Sequence, residues 1–153
     1  MLNINIICVG KLKEKYLRDA SLEYLKRIQK YTKLEIIELE DEGISDKAVA
    51  LRREKEKILK NINSKDFIIT LEIEGKQFTS VEFSKKIESL QVNYPNICFI
   101  IGGSYGIDDE IKSLSQLKLS FSSMTFPHQL FRIMLLEQIY RAYKIKTGES
   151  YHK

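Results

Sequence analysis

The sequence predicts an α/β domain built on a largely parallel sheet flanked by helices. Two observations predict it: short apolar runs alternate with longer amphipathic stretches along the chain, and those runs are almost unbroken by polar residues. Alternation of this kind is the order of βα units. A strand without a polar face is one covered on both sides, as in parallel sheets. A length of 153 residues fits a single domain, 1–153.

Residues 2–9 form the first apolar run, closed by Gly10. No basic stretch precedes it and no small-residue cleavage site follows, so it reads as a strand and not as a signal peptide. Tyr16, Ala20, Tyr24, Leu25 and Ile28 then recur at spacings of three and four, which predicts a helix over 13–31. Residues 34–39 are the second strand. The acidic stretch Glu40-Asp41-Glu42-Gly43 leads to Ser45, the expected N-cap of a charged surface helix reaching about Ile62. Residues 66–71 are the third strand, with Gly75 as the turn after it. Thr79 and Glu82 have the spacing of a capping box, opening a helix to about Gln91. The fourth strand, 96–101, ends abruptly in Gly102-Gly103. A brief helix over 108–114 and an alternating fifth strand over 117–122 follow. Pro127, suited to a first helical position, opens the longest helix, to about Ile145.

Composition excludes several classes. Two Cys cannot build a disulfide framework, 7 Gly and 2 Pro exclude a low-complexity chain, and no apolar run approaches the ~18 residues of a membrane span. A cytoplasmic location is therefore expected. Cys8 and Cys98 lie inside apolar strands and read as small buried hydrophobes. His128 and His152, the only histidines, have no metal-ligand spacing, so no metal is expected. The net charge of +4 is modest, but residues 121–153 carry five basic side chains against two acidic ones. That local excess is compatible with a polyanion, although a solvated helix face has the same composition.

In an open α/β sheet ligands bind beyond the carboxyl ends of the strands, which directs attention to the loops after strands three, four and five. Gly102, Gly103 and Gly106 put three glycines into five residues past a buried strand, where backbone groups can approach a ligand closely. A dinucleotide fingerprint is incomplete there, since Ile101 stands where its first glycine belongs. Gly102-Gly103-Ser104-Tyr105-Gly106 does match G-x-S-x-G, so a serine hydrolase using Ser104, Asp108 or Asp109, and His128 is one reading, although an elbow should run directly into a helix. The segment from Phe121 to His128 offers backbone donors and an apolar wall. His128 with Arg132, and Glu137 with Arg141, are four apart and share helix faces. The chain closes on Tyr151-His152-Lys153, residue types that stack on bases and donate to phosphate. A non-catalytic ribosome- or RNA-binding module is a second reading of this C-terminal part.

Taken in order, these segments resemble one family across nearly the whole chain. They are 9–13, 69–76, 99–106 and 119–129, then Glu137-Gln138-Ile139-Tyr140-Arg141-Ala142 and the closing Tyr151-His152-Lys153. The family is RlmH, small methyltransferases of the SPOUT class. The resemblance implies a homodimer of SPOUT domains, each with a deep trefoil knot near its C-terminus. It implies S-adenosylmethionine as donor and N3 of pseudouridine 1915, in helix 69 of 23S rRNA of the ribosome, as acceptor. Carried over by position, cofactor contacts fall on Leu71, Gly102 and the loop of Phe121, Ser122, Ser123, Met124, Thr125 and Phe126. Relatives carry Lys or Ala where Ser123 stands, which implies a backbone contact at that position. His128 and His152 are the two candidates for accepting the N3 proton. Arg132 and Arg141 are expected to hold phosphate or offset charge on the uracil oxygens, with Lys144 and Lys153 also on RNA and Tyr151 stacked on the base. The short polar tail is expected to order only against the partner subunit and the RNA.

Overall fold

The computed structural model describes residues 3–153; Leu2, placed by the sequence in the first strand, lies outside the described residues. Ten elements follow in the order β1 (Asn3–Val9), α1 (Lys15–Ile28), β2 (Lys33–Leu39), α2 (Lys47–Lys60), β3 (Phe67–Gln77), α3 (Ser80–Asn93), β4 (Asn96–Ile101), α4 (Asp109–Leu114), β5 (Leu117–Ser120) and α5 (His128–Lys146). One sheet of five strands has the order β2-β1-β4-β3-β5, and every pairing in it is parallel.

Burial explains the unbroken apolar runs. All six residues of β4 are buried, because this central strand has neighbours on both edges and helices over both faces. Side chains alternate between two cores, as the two-residue period of a strand requires. Ile4, Ile6, Ile69, Ile97 and Phe99 enter one core with Leu135, Leu136 and Ile139 of α5 and Phe83, Ile87 and Leu90 of α3. Ile7, Ile68, Cys98 and Ile100 enter the other, with Ile58 of α2 and Ile111 of α4. Cys8 and Cys98 are 1% and 0% exposed, and burial pushes both thiols up to about 12.

Several expected boundaries move: β5 ends at Ser120 and not at 122, and Pro127 is the N-cap of α5 and not its first helical residue. The N-cap of α2 is Asp46 and not Ser45: its carboxylate accepts from the Val49 N–H, the stronger anchor for a helix N-terminus. Gly75 is not a turn beyond β3. The strand leaves its register after Leu71 and regains it at Lys76, so that both residues stand opposite Leu119 of β5 and 72–75 bulge out between them. A Cβ on Gly75 would come within 2.6 Å of the Lys118 carbonyl oxygen, so glycine lets the bulge close back onto β5. The capping box forms as the sequence predicts. The Thr79 hydroxyl accepts from Glu82 N–H at 3.1 Å, and the Glu82 carboxylate accepts from Thr79 N–H at 2.8 Å.

Candidate active site

The β3 bulge, the glycine loop after β4 and the segment after β5 surround one cavity of about 270 Å³. Parallel strands bring this about: all carboxyl ends point the same way, so loops distant in sequence meet at one edge. The cavity is lined by Leu71 and by Gly102 and Gly103, and from the third loop by Phe121, Ser122, Met124, Thr125 and Phe126, with His128 at the start of α5. Ser123 belongs to the same loop but is exposed and does not line the cavity. Phe131 stacks toward Phe121 and Phe126, with ring centroids at 4.8 and 6.2 Å, and makes the apolar wall.

The glycine loop is shaped by its own backbone. Gly106 N–H donates to the Gly103 carbonyl at 3.0 Å, and a Cβ on Gly102 would collide with the Gly106 carbonyl. Gly106 adopts φ +80°, a conformation that disfavours other side chains. Tyr105 fastens the outer side of the loop, its hydroxyl donating to the Ser45 carbonyl at 3.1 Å. This tight turn carries Ser104 outward into solvent, away from the cavity lining. Asp108 instead caps α4, accepting from Glu110 N–H at 2.9 Å. Ser104, Asp108 or Asp109, and His128 therefore form no hydrogen-bonded triad among the described residues, and the hydrolase reading loses its geometry.

Tyr151, His152 and Arg141 gather at a second place. Glu137 accepts from Arg141 Nε at 3.1 Å and Nη2 at 2.9 Å, a two-pronged pair, and from the Tyr151 hydroxyl at 2.8 Å. The Arg141 guanidinium lies 4.8 Å from the Tyr151 ring centroid, and its Nη1 stands 3.1 Å from His152 Nδ1. Glu137 raises the Arg141 pKa; burial first, then Glu137, pushes the Tyr151 phenol up to about 12. Tyr151 also meets Tyr140 edge-on at 4.9 Å. The tail thus packs on its own helix, where Glu137 and Tyr140 supply both a polar and an apolar anchor.

Arg132 is elsewhere. Its side chain is 2% exposed; Nη1 meets Glu38 at 2.5 Å and Nη2 donates to the Gly10 carbonyl at 3.1 Å. A guanidinium committed inward does not reach phosphate, which corrects the expected RNA contact of Arg132. Lys144 donates to Glu149 at 3.0 Å, while Lys153 is exposed. Of the five C-terminal cations, Arg132, Arg141 and Lys144 are therefore each paired with a carboxylate. The local charge excess is smaller in space than it is in sequence.

Several cavity residues escaped the sequence reading, among them Glu72, Glu74, Lys112 and Phe131. Glu72 and Glu74 alternate with Leu71 and Ile73, which is the pattern of a strand with a solvated face, so no sequence signal marked them.

Comparison with known proteins agrees with this geometry. The family described as "Predicted SPOUT methyltransferase" matches residues 2–152. Ribosomal RNA large subunit methyltransferase H of Clostridium acetobutylicum is 52% identical over 160 residues, covering 99% of this chain and 100% of the relative. The protein of the same name from Streptococcus suis is 50% identical over 159 residues, with the same coverage. Among solved structures, a probable methylase family protein from Haemophilus influenzae superposes with a TM-score of 0.59 at 12% identity, covering 99% of this chain and 71% of its own. The tRNA (m1G37) methyltransferase of Aquifex aeolicus superposes with a TM-score of 0.55 at 14% identity, covering 92% and 69%. A full-length family match and relatives at about half identity leave one conclusion: the chain belongs to the SPOUT methyltransferase family.

Proposed function

We propose that this methyltransferase modifies large-subunit ribosomal RNA, transferring a methyl group from S-adenosylmethionine to N3 of pseudouridine 1915 in helix 69 of 23S rRNA, on assembled ribosomes. The observation that carries the reading is the meeting of the three strand-end loops around one cavity in a chain half identical to ribosomal RNA methyltransferases. The lining suits an adenosyl group: Phe121, Phe126 and Phe131 give an apolar wall, and the backbone of Gly102, Gly103, Ser122 and Thr125 brings polar groups beside it. When bound, the donor would supply a methyl group already activated by its sulfonium charge.

The chain's own residues then position the acceptor and take up its proton. His128 borders the cavity and can accept the N3 proton. Tyr151, His152 and Arg141 supply a stacking face and donors for the RNA. Arg141 lies thirteen residues beyond His128 on α5, about 20 Å along a helix. That separation supports a homodimer in which the tail of one subunit serves the cavity of the other. The deep knot implied by the family resemblance, a single domain over 1–153 and a cytoplasmic location belong to the same proposal.

Purified protein incubated with labelled S-adenosylmethionine and either 70S ribosomes or free rRNA tests the reading. Label on N3 of pseudouridine 1915 is the expected result, and label in neither substrate overturns it. Methylation unchanged in His152→Ala removes that residue from the reaction; unchanged methylation in His128→Ala removes the other candidate base.

A further inference from the structure

The cavity contains a nearly buried acid that is neither a candidate base nor an RNA contact. Glu72 sits in the β3 bulge with its side chain 8% exposed, yet it lines the cavity. Thr70 Oγ1 donates to its Oε2 at 2.6 Å, which fixes the carboxylate. Its Oε1 has Lys112 Nζ at 3.6 Å, beyond hydrogen-bonding distance, and that ammonium is itself 31% exposed. The lining thus carries two carboxylates, Glu72 and Glu74, against the one lysine, Lys112. Glu74 is exposed and screened by water, whereas a carboxylate held in a desolvated wall acts at a lower effective dielectric.

The charge of the ligand proposed for this cavity changes during the reaction. S-adenosylmethionine carries a sulfonium, an ammonium and a carboxylate, one net positive charge; once the methyl group has left, the sulfur is a neutral thioether and the net charge is zero. We propose that Glu72, oriented by Thr70, is a specificity-determining residue that makes the cavity prefer the charged donor over the demethylated product. The inference rests on the methyl-donor reading of the cavity. A tether between β3 and α4 would also explain the contact of Glu72 with Lys112, but a tether has no reason to tell the two ligands apart. The preference favours loading of fresh donor and release of spent product from a site that holds both by the same adenosyl and amino-acid groups.

Calorimetric titration of S-adenosylmethionine and of S-adenosylhomocysteine into the full-length protein tests this directly. Glu72→Gln keeps the shape and the Thr70 contact while removing the charge. The expected result is a loss of about tenfold in affinity for the donor, with the product changed by less than about twofold. An equal change for both ligands, or none for either, overturns the inference. Lys112→Met provides a second reading should Glu72→Gln fail to melt cooperatively: deleting the counter-charge should raise the donor-to-product affinity ratio several-fold, and an unchanged ratio overturns the proposal. Wild-type protein that binds neither ligand overturns the methyl-donor reading together with this inference. Wild-type protein that binds both, with a ratio insensitive to these substitutions, overturns the inference alone.

Discussion

Arg132 on α5 is joined to Glu38 near the end of β2 across 94 residues of sequence, and the pair ties α5 to the carboxyl ends of β1 and β2. The guanidinium also holds the Gly10 carbonyl, while Glu38 accepts from the Leu12 N–H at 3.3 Å, so helix, turn and strand share one network.

The two halves of that pair differ in burial, so their deletions should differ in cost. Glu38→Ala strands a guanidinium that is 2% exposed and should destabilise by about 3–5 kcal/mol. Arg132→Met leaves a carboxylate that is 35% exposed and can turn to water, at about 1–2 kcal/mol. Urea denaturation measures both; equal costs would show that burial does not set the balance.

Docking of the tail should depend on acid pH through Glu149. Its carboxylate accepts from Thr147 at 2.6 Å, Tyr31 at 2.6 Å and Lys144 at 3.0 Å, and these bonds hold its pKa down to about 2 from an ordinary 4.5. A group lowered in the folded state contributes fully above its unfolded value. The tail should therefore stay docked above about pH 4.5 and loosen as pH falls toward 2. Proton exchange or proteolysis of 147–153 against pH reports this, and Glu149→Gln should abolish that pH dependence.

Gly102→Ala should cost cofactor binding more than folding. Its Cβ meets the Gly106 carbonyl, so the loop must shift and the cavity wall with it. Donor affinity should fall at least tenfold, by calorimetry, because binding depends on where that backbone stands. Ser104→Ala, on the exposed side of the same turn, should leave methyl transfer within about twofold of wild type, as expected of a surface substitution.

Thr79→Ala removes one half of the capping box at the start of α3. A loss of about 1 kcal/mol is expected. Calorimetry should show a melting temperature lower by about 2–4 °C for a chain of this size. Methylation at moderate temperature should be unaffected, since Thr79 does not line the cavity proposed for the donor.

Local pattern made much of the fold legible. The strand 96–101 coincides with β4, and Thr79 with Glu82 forms the expected box, because apolar runs and capping spacings are short-range properties. The loops after strands three, four and five were legible as a cavity because parallel strands leave little choice about where ligands bind, while the individual positions Leu71, Gly102 and Phe121 to Phe126 came from the family resemblance. Glu72 was not: its burial comes from a bulge whose closure depends on how Gly75 meets β5. Arg132 was misread for a related reason. A basic residue in a basic segment suggests solvent and RNA, and its partner Glu38 is invisible until β2 and α5 are side by side.

By itself the sequence determined the α/β class and the alternation of elements, carried by residue types at short spacing, the family, carried by an ordered set of segments along nearly the whole chain, and the three strand-end loops that line the cavity. Only the tertiary structure decided which charges are free to act. Pairing of buried Arg132 with Glu38, an acid from outside 121–153, turned the excess counted along that segment into a smaller one at the surface, while Arg141 with Glu137 and Lys144 with Glu149 fixed where the remaining charges stand. The reason is physical: the energy of a charge depends on burial and on neighbours within a few ångströms, and those neighbours are set by packing.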